Sequence, residues 1–467
     1  MRSLILISLS LFVGIGLNAQ NKTIVFGYEE IPQSLLVNPA ADMEQDFHVG
    51  IPLASQFYLH GGSSGVSVYD IFQESSTDIN VRISEAINRM DNRDFFTVNQ
   101  QLELISVGWK NSKGDYLSGG IYQEVDVLTY FPKDLADLAW EGNRPYIGRS
   151  FDLGELSVTA EALMVYHFGI SKQFSRNLRV GARAKLYSSI AHASSTGNRG
   201  TFTTFQTEGT PNIYQHIISN ADLEVKTSGF TALSEANNVS SEAVGRALLG
   251  GNLGVGFDFG VSYDWNRNWT FDASIIDLGF VYHGNDVQRY GAEGDFLLDG
   301  IEFIFPPLSE GERTLNYYAR LTDRFEEEIV RDTSTTGYLQ MRPTKVNAAL
   351  SYGWGTFGEG EECDCLDKGS TQYRERAGVQ LFSVIRPRRP HMALSAFYYR
   401  RLTKFLSAKV AYTVDEYSAN NLGAGFSADL GPVNFYFTVD NILRYGNLAR
   451  AKNVSLQLGL NLKINSE

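Results

Sequence analysis

The sequence predicts an all-β fold, a transmembrane antiparallel β-barrel of about fourteen strands. Three observations predict it. From Val454 to Ile464 the chain alternates: Val454, Leu456, Leu458, Leu460, Leu462 and Ile464 are apolar, and Ser455, Gln457, Gly459, Asn461 and Lys463 between them are polar or small. That is a strand with one apolar face, and the pattern returns in segment after segment. The chain also opens with an export signal, and beyond it no apolar run reaches the ~18 residues that a membrane-spanning helix needs.

The signal is expected over residues 1–19. Arg2 supplies the positive start, Leu4 to Leu17 the apolar stretch, and cleavage is expected after Ala19, with Leu17 larger than the small residue preferred three places before the cut. No cysteine follows, which excludes a lipoprotein signal. The composition suits a barrel: Gly 44, Tyr 24 and Phe 29 against Met 6 and Cys 2 describe many strands, tight turns and aromatic girdles. The formal net charge of −13 and the lack of a basic stripe argue against nucleic acid as a partner.

Period-2 segments bounded by turn residues fall near 47–59, 100–110, 117–128, 158–171, 178–188, 253–264, 269–281, 343–354, 376–386, 391–400, 405–414, 420–429, 433–440 and 454–464. An even number places both termini on one side of the membrane. Alternating inward from the termini, the joins Asn111 to Tyr116, Phe174 to Asn177, Asp264 to Asn268, Arg401 to Lys404 and Asp429 to Pro432 become periplasmic, and all are short. The large inserts near 60–99, 189–252 and 282–342 fall outside the cell. The join with Gly358 to Gly369, Cys363 and Cys365 breaks the rule by falling on the inner side at about twenty residues, so either a strand pair there is miscounted or the barrel has one large inner loop. Its two thiols lack the histidines or further thiols of a metal site, so a local disulfide or free thiols are expected there. Ser240 to Leu249 reads as a short helix that lies on the surface or folds into the mouth.

Alternation assigns faces. Val255, Phe257, Phe259, Val261 and Tyr263 point one way and Asp258 the other, into the lumen. The next strand changes phase at Ile275-Ile276, which reads as a bulge and leaves Asp272 and Asp277 inside. Arg179, Arg183 and Lys185 share the lumen face of 178–187 and are placed to oppose these carboxylates. They make either a charged constriction or a structural salt-bridge network. Tyr398, Tyr399, Tyr412, Tyr417, Phe435, Tyr436 and Phe437 read mostly as a headgroup girdle.

Enzyme chemistry finds no support. The seven histidines are scattered singly, none in an H-E-x-x-H setting, and there is neither a G-x-S-x-G elbow nor a P-loop. Gly254-Val255-Gly256 lies inside a strand rather than at a strand-to-helix turn. No catalytic residue, cofactor or metal is expected.

Several segments resemble known families. Gln457, Gly459, Leu462 and Ile464 resemble the β-signal read by the barrel insertion machinery, although the segment ends on Ile464 rather than an aromatic. Asn38-Pro39-Ala40 resembles an element of the FadL-like superfamily, which includes the PorV and PorP/SprF relatives of Bacteroidota. Gly256 to Tyr263, Ala273 to Phe280 and Gly431 to Tyr436 with Asp440-Asn441 resemble a Bacteroidota family of outer-membrane barrels without an assigned role. The resemblance implies fourteen strands in the cell outer membrane around an N-terminal hatch, here residues 20–46, with the barrel over 47–467. It implies outer-membrane lipid and the insertion machinery as partners. The first expectation for function is a non-enzymatic barrel that anchors or assists a surface or secretion-system partner, in type IX secretion or gliding. The second is a FadL-like channel for hydrophobic or small solutes.

Overall fold

The computed structural model describes residues 22–206, 214–298, 330–356 and 373–464. The wall begins with β1 (Phe47–Gly50) and β2 (Phe57–Ser63), two parts of one strand, then β3 (Phe95–Lys110) and β4 (Tyr116–Tyr130). Past the short outer strand β5 (Ser150–Asp152) come β6 (Ser157–Ser175) and β7 (Leu178–Ser195). Outer strands β8 (Arg199–Gln206) and β9 (Tyr214–Ser228) precede wall strands β10 (Asn252–Asp264) and β11 (Trp269–His283). After outer β12 (Val287–Leu298) and β13 (Val330–Ser334), β14 (Tyr338–Met341) and β15 (Lys345–Thr356) together form one wall strand. The wall is completed by β16 (Tyr373–Val384), β17 (His391–Arg401), β18 (Leu406–Val414), β19 (Asn421–Leu430), β20 (Val433–Asp440) and β21 (Asn453–Ile464).

Every neighbour in the wall is antiparallel, and β21 closes the ring by pairing with β1 and β2. The result is a closed barrel of 14 strands. Among the described residues no helix is long and apolar enough to cross a membrane. The alternation that defines the strands also sorts their side chains: Phe257, Phe259, Ile275, Leu278 and Phe280 stand exposed on the outside while Asp258, Ser274 and Asp277 are buried within. An outward arginine or lysine at mid-membrane would cost about 2–4 kcal/mol, so the charges are confined to the lumen.

Four features differ from the sequence expectation. First, the strand expected over 47–59 is interrupted at residues 51–56, where Pro52 offers no backbone donor. Second, the inserts are not simply loops. β2 and β3 pair up to Ser63 opposite Phe96, so the first insert narrows to 64–94, and β7 runs on to Ser195. Strands β5, β8, β9, β12 and β13 build an outer sheet that joins the wall where β9 pairs with the end of β7. These outer strands lack a continuous apolar face, so their period is weak in the sequence. Third, helices Ile79–Asn88 and Lys133–Glu141 were not anticipated, although Asp78 caps the first through Asn80 N at 2.8 Å. Fourth, Tyr399, Tyr417 and Tyr436 face inward and are buried, while Tyr398 and Tyr412 remain exposed. The helix expected from Ser240 spans Val239–Gly245 and continues in a wider turn over Arg246–Gly250. The loop with Cys363 and Cys365, and residues 1–19, lie outside the described residues.

Candidate functional site

The lumen is occupied by the chain itself. Residues 22–46 contain one short helical turn, Pro32–Leu36, and otherwise no regular structure. An irregular segment has unpaired backbone carbonyls, which need donors once water is excluded. The wall supplies them. Lys409 Nζ donates to Phe26 O at 2.6 Å, Arg376 Nη2 to Gly27 O at 2.9 Å and Lys463 Nζ to Glu30 O at 2.8 Å. Arg183 Nη2 donates to Leu35 O at 2.7 Å and Ser274 Oγ to Val37 O at 2.6 Å. Apolar side chains complete the seal: Val25, Tyr28 and Ile31 pack on Tyr399 and Tyr436, and Leu36 packs among Tyr122, Leu163, Val165 and Tyr187.

Asn38, Pro39 and Ala40 sit on a saddle made by two glycines that face each other across β7 and β10, Gly181 and Gly260. A Cβ on Gly181 would lie 2.1 Å from the Pro39 carbonyl carbon, and one on Gly260 would lie 2.1 Å from Asn38 Oδ1. Asn38 Oδ1 also accepts from Ala40 N at 3.0 Å, which fixes the turn.

Four cations and four carboxylates lie beside this segment. Asp277 accepts from Lys185 at 2.6 Å and Lys345 at 2.8 Å, and Asp258 pairs with Lys185 at 2.8 Å and Arg183 at 3.4 Å. Glu124 pairs with Arg342 at 3.1 Å and Lys345 at 3.5 Å, and Arg342 also pairs with Glu161. The bulge is what brings Asp258 and Asp277 together. The register of β10 and β11 shifts between Phe257 and Phe259, Asp277 takes a left-handed φ of 61°, and its N–H donates to Asp258 Oδ1 at 2.8 Å. A cavity of about 30 Å³ bordered by Lys22, Leu36, Tyr122, Lys185, Asp277 and Lys345 lies between them, room for water but little else. Two of the expected lumen charges are placed differently. Arg179 pairs with Asp42 at 2.7 Å, and Asp272 hydrogen-bonds Ser262. The expectation that Arg179 opposes Asp258, Asp272 or Asp277 is thereby corrected, because Ser262 is its partner across the strands and Asp42 reaches up to it.

At the end of the barrel where the β17–β18 hairpin turns, one guanidinium serves two carboxylates: Arg401 contacts Glu30 at 2.9 Å and also Glu44. Burial and the neighbouring Glu30 charge push Glu44 up to about 7, against the pull of Arg401. The sign follows directly. Between the ordinary carboxylate value of 4.5 and about 7, docked Glu44 holds a proton that the released segment gives up. Docking is therefore tightest below that window, weakens as pH rises through it and is flat above. Limited proteolysis of residues 22–46 should increase from pH 5 to pH 7.5, and Glu44→Gln should remove that contribution. An equal pH response in the variant would refute the assignment.

The wall interruption lies behind the same segment. Gly50 pairs with Asn461 and Ser106, and Phe57 resumes with Leu458 and Leu102, so residues 51–56 bulge from the ladder, tied to its neighbours by Ile51 N to Leu460 O at 3.1 Å, Leu460 N to Ala54 O at 2.8 Å and Glu103 N to Gln56 O at 2.9 Å. Leu53 points outward and is 61% exposed, while Ser55 and Gln56 are fully buried. Gln33 Nε2 spans the break from inside, donating to Glu103 at 2.8 Å on β3 and Asn461 at 2.9 Å on β21. Of the C-terminal signal residues, Gln457 and Gly459 face inward beside the break, where a Cβ on Gly459 would lie 1.9 Å from Ser55 O, and Leu462 and Ile464 face outward. Of the carbonyl-binding cations sequence reading singles out Arg183 alone, and it passes over Gln33, Arg376, Lys409 and Lys463 in that role. A lysine or arginine at a lumen position of β16, β18 and β21 was the available signal. Among the described residues no three His, Cys, Asp or Glu side chains converge as a metal site.

Fold and site together define a closed membrane-spanning β-barrel whose lumen is filled by its own N-terminal segment. A model described as "Family of unknown function (DUF5723)" matches residues 39–440, and the chain belongs to that family. No curated protein matches the sequence. Solved structures similar to the chain include the Ralstonia pickettii toluene transporter TbuX, at 10% identity and TM-score 0.40 over 93% of this chain and 95% of that one. The Pseudomonas putida toluene transporter TodX matches at 8% identity and TM-score 0.38, covering 93% and 94%. A Pseudomonas aeruginosa FadL homologue matches at 10% identity and TM-score 0.42, covering 96% and 100%.

Proposed function

We propose that this chain is a gated outer-membrane barrel that passes small solutes, hydrophobic ones included, between its lumen and the bilayer. In this reading residues 1–19 are removed on export, 20–46 are the hatch and 47–467 the barrel. The observation that carries it is Gln33, which bridges Glu103 and Asn461 at the point where residues 51–56 leave the wall. A shift of the hatch would free both flanking strands of that bridge and join the lumen to the side of the barrel. The side port suits solutes that partition into lipid, since they need not leave through water.

A disulfide across the bridge tests this. In a background with Cys363→Ser and Cys365→Ser, Gln33→Cys with Asn461→Cys should block uptake of small solutes into proteoliposomes under oxidation and restore it on reduction. Uptake indifferent to oxidation, with the cross-link verified by mass spectrometry, would reject the gate. The outer sheet favours a second reading, a barrel that anchors a surface or secretion-system partner as in PorV or PorP/SprF of Bacteroidota. Its support is that β5, β8, β9, β12 and β13 form a sheet beyond the wall. A stoichiometric partner lost on deleting 196–251 would favour it, and its absence from native extracts would count against it.

A further inference from the structure

The helix Val239–Gly245 leads into the turn Arg246–Gly250, which lies against the outside of the barrel wall, and strand register shows which side it is on. Leu253 on β10 is outward and exposed, and it pairs directly with Ser188 on β7, which pairs in turn with Met164 on β6. Directly opposed residues share a face, so Ser188 and Met164 also point outward. By the same rule Val255, Leu186 and Tyr166 are outward together.

Unlike their exposed neighbours Leu253 and Val255, Ser188 is fully buried and Met164 is 9% exposed. The turn Arg246–Gly250 packs against β6, β7 and β10. Ser188 Oγ donates to Arg246 O at 2.6 Å and Tyr166 OH to Ala247 O at 2.9 Å, while Arg246 Nε donates to Ile190 O at 2.7 Å. The last carbonyls of a helix have no partner within it, and in water they need none from the protein. Here the Arg246 carbonyl, which also accepts from Gly251 N at 3.1 Å, and the Ala247 carbonyl each take a hydroxyl that projects from the lipid side of the wall, as an apolar surrounding favours. Beyond these bonds the segment turns apolar side chains away from the protein: Val244, Leu248 and Leu249 are 57%, 65% and 44% exposed. Leu249 holds a left-handed φ of 67° in doing so.

We propose that Val239–Gly250 is an interfacial foot that inserts Leu248 and Leu249 into the acyl region of the outer leaflet. The occupant of its apolar face is bilayer hydrocarbon, because that face continues the outward band of Leu253, Val255 and Phe280. The foot is independent of the gate: it fixes the height of the barrel in the membrane whether or not a solute passes.

Nitroxide scanning of the whole barrel in phosphatidylcholine–phosphatidylglycerol vesicles tests this, with the two native cysteines replaced by serine. A label at Leu248→Cys should collide readily with oxygen and poorly with an aqueous nickel chelate, matching a label at the wall position Phe257→Cys. A label at Ser75→Cys, in an exposed outer turn, should behave oppositely. Nickel access at Leu248 equal to that at Ser75 would put the foot in water and overturn the proposal. Poor access to both reagents would put it against protein and overturn it too. Heat-modifiable migration confirms that each labelled barrel is folded, and nickel access at Phe257 itself would show that the membrane reading of the wall has failed instead.

Discussion

Asp277→Ala is expected to destabilise the barrel by about 3–5 kcal/mol, read as a lower urea midpoint for the folded band in detergent micelles. Asp277 accepts from two buried lysines, Lys185 and Lys345, and from Tyr187 at 3.1 Å. Removing its carboxylate leaves both ammonium groups short of a counter-charge where little water can reach them. The bulge contributes separately, since Asp277 holds a left-handed backbone that alanine adopts poorly. Asp277→Asn separates the two effects, because asparagine tolerates that conformation and keeps an oxygen acceptor. It should lose less than alanine, and adding Lys345→Met should recover part of the loss. A midpoint for Asp277→Ala within ~0.5 kcal/mol of the parent would mean that the lysines find other partners, and the structural role of the network would be withdrawn.

Deleting residues 22–46 while keeping residues 1–21 should have the other large effect, on conductance. A barrel of eight strands is filled by its own side chains, and one of sixteen or more leaves a water channel. At 14 strands the lumen needs a filler, and here the N-terminal segment is that filler. Without it, single-channel conductance in planar bilayers should rise roughly tenfold over the intact protein, reflecting an opened lumen. Gly260→Val should move in the same direction by a different route. Its side chain would occupy the space of Asn38 Oδ1 and Ala40 N and unseat the segment, while the outward face of β10 stays unchanged. A deletion that folds, inserts and still conducts no more than the parent would show that wall side chains close the barrel unaided.

The wall was legible because its signal is repeated and local. All fourteen wall strands lie where a period of two was read, since each must present an apolar side to lipid and a polar side to the lumen. The bulge was legible too, because a phase change at Ile275-Ile276 cannot be hidden in an alternating strand. Two classes of feature were not. The outer sheet carries no lipid face, so strands such as Arg199–Gln206 lack the contrast that marks a wall strand. The lumen contacts are also invisible to period. Arg179 reads as a partner for strand carboxylates, yet it pairs with Asp42, which is 137 residues away in the chain and carries no pattern of its own. Tyr399, Tyr417 and Tyr436 were misplaced for a related reason: tyrosine suits a headgroup girdle and a lumen seal equally well.

The wall grips the N-terminal segment largely by its main chain. Phe26, Gly27, Glu30, Leu35 and Val37 each offer a carbonyl to a fixed donor, and a carbonyl survives any change of the side chain attached to the same residue. Natural variation should therefore be distributed unevenly between the two partners. Of the five, Phe26, Glu30 and Leu35 are held by their buried side chains as well, so related chains can drift most at half-buried Val37, while Arg183, Ser274, Arg376, Lys409 and Lys463 are held in place as a set. The receptor is inherited whole, and the peptide it receives is free to evolve only where its side chains touch little.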